Sequence, residues 1–262
     1  MGQARRCRRV GQQPHPQPDH GRHHAQAGRA GAPAATEGRG LTAWAIVGAS
    51  GGVGGALADV IAATGAPVVR LSRRTGLDLT DEGSIAAAFA PLADLAGVIV
   101  ATGLLHREDR QPERDWRQLD AAWMAENFAI NTIGPALVAK HALPKLRRGD
   151  PSVFAALSAR VGSIADNRLG GWHSYRASKV ALNMLVRTLA IELARKNPAA
   201  VAVTLHPGTV DTGLSKPFQR NVAPEKLFTP AHSAAQLWRV IQGLTREDNG
   251  FALAWDGQRI PF

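Results

Sequence analysis

One pair of side chains has the types and the spacing of an acid–base site. Tyr175, the only tyrosine among 262 residues, lies four residues before Lys179 in the segment Ser-Tyr-Arg-Ala-Ser-Lys. On a helix, residues four apart lie on the same face. An ammonium beside a phenol favours the phenolate, so we expect Lys179 to lower the pKa of Tyr175 toward the working pH. Such a phenol can exchange a proton with a carbonyl or alcohol oxygen.

A glycine cluster between a predicted strand and a predicted helix has the composition of a phosphate-binding loop. Five of the nine residues from Val47 to Gly55 are glycine, and three of them have the spacing G-x-x-x-G-x-G. Glycines at such a turn allow a tight bend and close approach of the backbone to a pyrophosphate. The helix N-terminus adds free amide groups and a positive dipole end. A flexible turn without a ligand is the alternative. We predict dinucleotide contacts from Gly48, Ser50, Gly51, Gly52, Val53 and Gly54.

The residues after the second predicted strand indicate which dinucleotide is bound. A NAD-binding fold usually has an acidic residue there for the ribose 2′-hydroxyl, but residues 60–77 contain no acid. They contain Arg70, Arg73 and Arg74 instead. The Ser72 hydroxyl and the Arg73 guanidinium can bind a 2′-phosphate. We therefore predict NADP(H) as the preferred cofactor and NAD(H) as the second choice; the alternative is that these arginines only coat a solvated loop.

The elements that must position these residues are short apolar runs that alternate with longer helical segments. We predict strands at 43–47, 67–71, 97–101, 152–157, 200–205 and 251–255. We predict a first helix that follows the glycine cluster and ends at about residue 63, and further helices at 81–90, about 118–147 with a break at Gly134-Pro135, about 174–196 and 231–244. This alternation is typical of a parallel sheet with crossover helices. The predicted fold class is α/β, a single doubly wound Rossmann-fold domain over residues 41–262, with a mostly parallel sheet of about seven strands and helices on both faces.

Further motifs follow one another in order along the predicted domain. They are Asp78-Leu-Thr80, Ala101-Thr-Gly103, Asn131, Ser158, and Pro207-Gly208 followed by Thr212. With the glycine cluster and the Tyr–Lys pair, they make residues 43–257 resemble the short-chain dehydrogenase/reductase superfamily. The segment from Ser158 to Lys179 resembles the C-factor-like bacterial members of that superfamily.

The resemblance implies a carbonyl–alcohol oxidoreductase and a role for each motif residue. Tyr175 would transfer the proton to the carbonyl oxygen, Ser158 would orient that oxygen, and Lys179 would bind the nicotinamide ribose. Asn131 would hold a water that links Lys179 to solvent. The other implied cofactor contacts are Asp78 and Leu79 at the adenine, Ala101, Thr102 and Gly103 at the adenosine ribose, and Pro207, Gly208, Val210 and Thr212 at the nicotinamide amide.

Several assignments near the site have two interpretations. We expect Ser158 to be the catalytic serine because it ends a buried strand; Ser163, nearer the family's usual spacing from the tyrosine, is the alternative. His173 contacts substrate or lies in a loop. Residues 212–230 would form a mobile substrate loop, in which Phe218, Leu227 and Phe228 either cover a hydrophobic substrate or pack on the sheet edge. We expect core or interface positions, rather than pocket positions, for Trp116, Trp123, Trp172, Trp238 and Trp255.

Composition excludes several other classes of protein. The single cysteine, Cys7, excludes a disulfide framework and a cysteine-based zinc site, and we expect no metal. The apolar stretch 85–105 is interrupted by Pro91 and Asp94, so no membrane span is predicted. Of the net charge of +10, residues 1–40 carry half, and they contain no aromatic residue, so we expect no nucleic-acid partner.

The same first 40 residues lack hydrophobic periodicity, and we expect a disordered basic tail there. The predicted partners of the domain are a small carbonyl or alcohol substrate and, by resemblance, further copies of the chain in a homodimer or homotetramer joined through residues 135–147 and 174–196. The expected location is cytoplasmic. The alternative function is that of a nucleotide-binding signalling or regulatory protein with little turnover.

Overall fold

A computed structural model describes residues 42–262, and the tail expected over residues 1–40 lies outside them. A seven-stranded sheet organises the described part of the chain, in the order β2-β1-β3-β4-β5-β8-β9. All neighbours pair in parallel except β8 and β9, which are antiparallel. The strands are β1 Trp44–Val47, β2 Val68–Leu71, β3 Gly97–Val100, β4 Ser152–Leu157, β5 Ala200–His206, β8 Ala252–Ala254 and β9 Arg259–Ile260. The predicted fold class is confirmed.

Helices cover both faces of this sheet. They are α1 Gly52–Ala62, α2 Glu82–Phe89, α3 Ala121–Phe128, α4 Gly134–Ala142, α5 His173–Lys196 and α6 Pro230–Gln242. Alternate residues of β1 enter two separate cores: Ala45 and Val47 pack with α2, α4 and α5, whereas Trp44 and Ile46 pack with α1 and α6. Because successive side chains of a strand point to opposite faces of the sheet, one layer of helices packs on each face.

Side-chain caps fix where several of these helices begin. The side chains of Asp81, Asp120 and Thr229 accept hydrogen bonds from backbone amides in the first turns of α2, α3 and α6. Each cap satisfies an amide that the helix itself leaves free. The predicted helix starts at 81 and 231 therefore lie within one residue of the observed ones.

The predicted helix over residues 118–147 is divided in the structure. A π-helical segment, Ala129–Ile133, separates α3 from α4, and a 3₁₀ turn, Leu143–Lys145, follows α4. Pro135 has no N–H to give to the Asn131 carbonyl, which lies four residues earlier, so regular α-helical bonding cannot continue through this point. The helix is therefore interrupted near Gly134-Pro135, as predicted. The interruption is a π-helical segment formed by the five residues before Gly134.

Three strands of two residues each were not predicted from the sequence, and β9 is one of them. β6 Thr209–Val210 and β7 Leu227–Phe228 form a separate two-stranded parallel sheet. The segment between them contains the 3₁₀ turns Lys216–Asn221 and Pro224–Lys226. A strand of two residues has no measurable periodicity, which explains why the pattern did not reveal it. Their pairing ties down both ends of the segment expected to be a mobile loop.

Strand order also determines where a ligand can bind. The chain leaves β1 toward β2 on one side and continues through β3 on the other side. The crevice beyond the carboxyl ends of β1 and β3 is therefore the topological switch point of the sheet. In open α/β sheets, ligands bind at that point.

Candidate active site

A cleft of about 1040 Å³ lies at the carboxyl ends of β1, β3, β4 and β5. Each of these strands leads into a segment that lines it, so the cleft occupies the switch point. Many of the site residues predicted from the sequence line this cleft. They are Gly51, Gly52, Val53, Ala101, Thr102, Gly103, Ser158, Tyr175, Lys179, Pro207, Gly208, Val210 and Thr212.

The Tyr–Lys pair lies in the first turns of α5 and faces this cleft. Both side chains are buried, with 6% of Tyr175 and 2% of Lys179 exposed. The Lys179 ammonium donates a hydrogen bond to the Leu157 carbonyl at 2.9 Å, which holds it against the end of β4. Its Nζ lies 5.7 Å from the centre of the Tyr175 ring. The spacing of four residues thus places an acid and a cation at one buried site.

Burial shifts the pKa values of both groups in the direction that favours their neutral forms. It raises the pKa of Tyr175 and lowers the pKa of Lys179 to about 7. Our expectation that Lys179 lowers the pKa of Tyr175 is therefore wrong for the protein without ligand. The physical reason is that loss of water disfavours both charges, and a lysine that is partly neutral near pH 7 gives little support to a phenolate.

The two candidate serines have different environments. Ser158 lines the cleft, and its buried Oγ has no hydrogen-bond partner among residues 42–262. The Ser163 Oγ is also buried, but it accepts a hydrogen bond from the Asp166 amide at 3.0 Å. A free hydroxyl in the cleft can bind a ligand oxygen, whereas that of Ser163 already closes a local turn. The geometry favours Ser158 over Ser163.

Asn131 uses its side chain to hold the loop that follows β3. Its Nδ2 donates to the Leu104 carbonyl at 2.8 Å, and its Oδ1 accepts from the Leu104 amide at 2.7 Å. Nδ2 also contacts Ser178 Oγ at 3.0 Å. The side chain therefore joins the loop after β3 to α5, and Asn131 is not among the residues that line the cleft. The Asn131 carbonyl, which Pro135 leaves without an α-helical donor, can accept a hydrogen bond from a water.

The glycine loop is shaped by close approaches that only glycine permits. Gly48 has φ +86°, and a Cβ there would lie 2.7 Å from the Ala101 carbonyl oxygen. A Cβ on Gly54 would overlap the Gly48 carbonyl oxygen, so α1 could not pack as closely on β1. A Cβ on Gly52 would lie 2.7 Å from Thr212 Cγ2 and so reduce the space between the two loops.

The N-terminus of α1 is free to receive an anion. Its N-cap, Gly51, has no side chain to cap the helix, and the first turn contains no acidic residue. The free amides and the helix dipole suit a phosphate group. With the unpaired hydroxyls of Thr102 and Ser158 in the same cleft, these residues fit a dinucleotide. Ser50 belongs to the same loop but is not among the lining residues.

The expected 2′-phosphate contacts lie after β2, outside the lining of the cleft. Arg70 pairs with Asp59 at 2.7 Å, whereas Arg73 and Arg74 are exposed. Ser72 is buried, and its amide donates to Thr75 Oγ1 at 2.8 Å, which fixes the turn that presents Arg73. Of the three arginines, Arg70 therefore forms an ion pair within the protein, with Asp59.

The expected adenine contacts, Asp78 and Leu79, also lie outside the cleft lining. The Asp78 carboxylate accepts hydrogen bonds from the amide and hydroxyl of Thr80 at 2.8 and 2.7 Å. These bonds lower the pKa of Asp78, which is therefore an anion that rigidifies its own turn. Leu79 is buried and packs against Gly134, where a Cβ would lie 2.7 Å from it.

Trp172 is a cleft residue that the sequence prediction missed. We expected a core or interface position, but it lines the cleft, 6.4 Å from the Tyr175 ring and 5.0 Å from the Phe218 ring between centres. Its φ is +53°, after Gly170 and Gly171, which also have positive φ. The Gly-Gly pair was the available signal, because consecutive left-handed residues turn the chain sharply before α5.

The other aromatic residues near the site have mixed roles. Phe218 lines the cleft and contacts Trp172, which agrees with the first of its two alternatives, a position beside the substrate. Phe228 instead packs edge-on against Trp255, 4.8 Å between centres. Leu227 pairs with Thr209 in the small sheet. His173 begins α5 and is not among the residues that line the cleft.

Metal sites and membrane spans are two further features that the described part of the chain lacks. Residues 42–262 contain no cluster of three side chains able to hold a metal ion. None of their helices combines the length and the apolarity that a membrane span requires.

Comparison with known proteins gives sequence relatives. A family model described as Enoyl-(Acyl carrier protein) reductase matches residues 55–243. The C-signal protein of Myxococcus xanthus is 38% identical over 144 residues, which are 55% of this chain and 81% of that protein. The 1-hydroxy-2-glutathionyl-2-methyl-3-butene dehydrogenase of Rhodococcus sp. strain AD45 is 31% identical over 179 residues, which are 67% of this chain and 74% of that protein.

Solved structures share the fold. The carbonyl reductase Sniffer of D. melanogaster matches with a TM-score of 0.72 at 20% identity, over 85% of this chain and 100% of that chain. The NADPH-bound carbonyl reductase from chicken fatty liver matches with a TM-score of 0.70 at 24% identity, over 85% of this chain and 99% of that chain.

Proposed function

The chain belongs to the short-chain dehydrogenase/reductase superfamily, and we propose that it interconverts a small carbonyl compound and its alcohol with a nicotinamide dinucleotide, preferably NADP(H). The observation that carries the proposal is the meeting of Ser158, Tyr175 and Lys179 in one cleft beside a glycine loop. The names of similar proteins support it, because they include a dehydrogenase of a hydroxy compound and one NADPH-bound carbonyl reductase.

The cofactor would be held along the switch point of the sheet. The glycine loop and the α1 amides would bind the pyrophosphate, and Ser72 and Arg73 would bind the 2′-phosphate. Ala101, Thr102 and Gly103, and the segment Pro207–Thr212, would line the rest of its path. When bound, the dinucleotide supplies or accepts the hydride.

The catalytic side chains would hold the carbonyl oxygen and move its proton. Ser158 Oγ, which has no partner in the described chain, donates a hydrogen bond to that oxygen and orients it. Tyr175 is a neutral phenol in its buried site, and therefore carries the proton that the developing alkoxide needs.

Lys179 and Asn131 would return the proton to Tyr175. The pKa of Lys179, about 7, lets it carry a proton in either direction near neutral pH. The Asn131 carbonyl, freed from α-helical bonding by Pro135, is the atom we assign to the relay water. The Asn131 side chain positions the loop after β3.

The signalling alternative has no supporting observation at this site. A protein that only binds a dinucleotide has no need for a buried phenol and a lysine with a lowered pKa beside an unpaired hydroxyl. We propose the enzyme and not the binder.

Titration of the full-length protein with NADPH and NADH, followed by tryptophan fluorescence, tests the cofactor assignment. We expect tighter binding of NADPH, and about a tenfold loss of NADPH affinity in Arg73→Ala because a charged hydrogen bond to phosphate is removed. Arg70→Ala is the matched control, since Arg70 pairs with Asp59. Tighter NADH binding, or an equal loss in both variants, contradicts the assignment of Arg73.

A further inference from the structure

Three buried polar atoms form a row across the carboxyl ends of three neighbouring strands. β3 pairs with β4, and β4 pairs with β5. If each pairing is extended beyond the ends of the strands, Thr102 lies opposite Ser158, and Ser158 lies opposite His206. Aligned residues of neighbouring strands project to the same face, about 4.8 Å apart. Thr102 Oγ1, Ser158 Oγ and His206 Nδ1 are each buried without a hydrogen-bond partner in the described chain. All three residues line the cleft.

Such a row calls for a ligand, because a buried polar atom without a partner is costly. The proposed mechanism uses two of its members: Thr102 lies on the path of the cofactor, and Ser158 holds the reacting carbonyl oxygen. His206 has no role in that mechanism. His206 is half-buried and lines the cleft, and its Nδ1 is the buried atom of the row.

The environment of His206 determines what it can recognise. Burial and the nearby Arg160 lower its pKa to about 4, against a smaller opposite effect of Asp256. The ring is therefore neutral near pH 7, with one nitrogen that donates and one that accepts. It suits an uncharged oxygen of a ligand, since a neutral ring offers a hydrogen bond and no charge.

We infer that His206 is a specificity-determining residue that hydrogen-bonds an oxygen on the carbon next to the reacting carbonyl. The preferred substrates are then α-dicarbonyl or α-hydroxycarbonyl compounds. The inference rests on the proposed function, because it takes Ser158 as the residue that holds the reacting oxygen. Ser158 and His206 are one strand spacing apart, which matches two oxygens on adjacent carbons reached by two side chains.

The rest of the cleft indicates the other half of the substrate. Trp172, Phe218 and the buried Leu105 supply an apolar wall in the same cleft. The Trp172 and Phe218 rings already contact one another at 5.0 Å, so a ring or alkyl chain can pack beside them. A phenyl-substituted diketone combines both features.

Calorimetric binding to the full-length protein with saturating NADP⁺ tests the inference, since oxidised cofactor gives no carbonyl reduction. The probes are phenylpropanedione (the methyl phenyl diketone) and propiophenone, which has the same skeleton with one oxygen fewer. The variants are His206→Ala, which removes the ring, and His206→Asn, whose amide can still hydrogen-bond. Trp238→Phe is the matched control, because it removes a buried, unpaired N–H that lies outside the cleft lining.

We expect the unmodified protein and Trp238→Phe to bind the diketone about tenfold more tightly than propiophenone. In His206→Ala this ratio should fall to about one, and His206→Asn should restore most of it. An unchanged ratio in His206→Ala, or equal binding of the two probes by the unmodified protein, overturns the inference. NADPH consumption with either ketone is measured separately, so a failure of the proposed function does not alter the binding ratio.

Discussion

At the scale of single side chains, Ser158, Tyr175 and Lys179 form one buried polar group in the cleft. Tyr175 and Lys179 lie together in the cleft because four residues make about one helical turn, and Ser158 follows from its place at the end of β4. Their pKa values could not be predicted, since these depend on burial by distant segments. The positions of His206 and Trp172 in the cleft were not predicted, because the cleft is formed by segments that lie far apart in the sequence.

Ser158 and Ser163 give a prediction that separates their roles. We expect Ser158→Ala to lower kcat by about a hundredfold, because the carbonyl oxygen loses a positioned donor in a dry site. Its thermal stability should not fall, since the Ser158 hydroxyl bonds nothing in the described chain. Ser163→Ala, which loses the bond to the Asp166 amide, should keep most of its activity. Steady-state kinetics and thermal unfolding of both variants provide the check; the reverse pattern of activities would assign the role to Ser163.

Lys179 makes the stability of the protein without cofactor depend on pH. Its folded pKa of about 7 lies below the ordinary value of 10.5, so between these values the unfolded chain binds a proton that the folded chain does not. The Lys179 contribution to the free energy of unfolding therefore rises with pH in this window, by at most ~1.4 kcal/mol per pH unit. Urea unfolding from pH 7 to about 9 should show this rise in the unmodified protein relative to Lys179→Met. Parallel pH profiles for the two proteins would show that Lys179 keeps its proton on folding.

At the scale of elements, turns with a steric requirement were predictable and distortions were not. The glycine loop is in its predicted place because Gly48 and Gly54 meet backbone atoms that leave no room for a Cβ. The π-helical segment Ala129–Ile133 was not foreseen, since it depends on how α4 packs against Leu79 as well as on Pro135. The strands β6 and β7 were too short to have a pattern.

Gly54 and Gly55 offer a matched test of the packing of α1 on β1. A Cβ on Gly54 would overlap the Gly48 carbonyl oxygen, whereas one on Gly55 would lie 3.3 Å from the Ala49 carbonyl oxygen. We expect Gly54→Ala to lower the free energy of unfolding by about 1–3 kcal/mol and to abolish cofactor binding. Gly55→Ala should change stability by less than about 1 kcal/mol, because gained helix propensity offsets the tighter contact. Denaturant unfolding and NADPH titration measure both effects; equal losses in the two variants would remove the special role of Gly54.

At the scale of the molecule, the alternation of strands and helices was enough to predict the doubly wound sheet. The shape of the cleft was out of reach, because Trp172 and Phe218 come from segments far apart in sequence and meet only in the fold. The predicted homo-oligomer and the cytoplasmic location remain predictions.

The surface of α5 leads to a prediction about assembly. Met184 and Ile191, seven residues apart on one face of α5, are 66% and 47% exposed. If this face joins two copies, as the superfamily resemblance implies, the full-length protein should sediment as a dimer or tetramer. Met184→Glu should shift it toward the monomer, because a charge replaces buried apolar area. Leu119→Glu, at an exposed apolar residue outside α5, is the control. A monomer in the unmodified protein would contradict the predicted seam.

The most direct test of the central claim measures what Tyr175 does once the cofactor is bound. The full-length Tyr175→Phe variant keeps the ring and its packing against Trp172 but cannot donate a proton. The account predicts that carbonyl-dependent NADPH oxidation falls by about 10²–10⁴-fold, while the NADPH dissociation constant stays within about threefold of the unmodified value. A Tyr175→Phe variant that reduces carbonyls as fast as the unmodified protein would contradict the account.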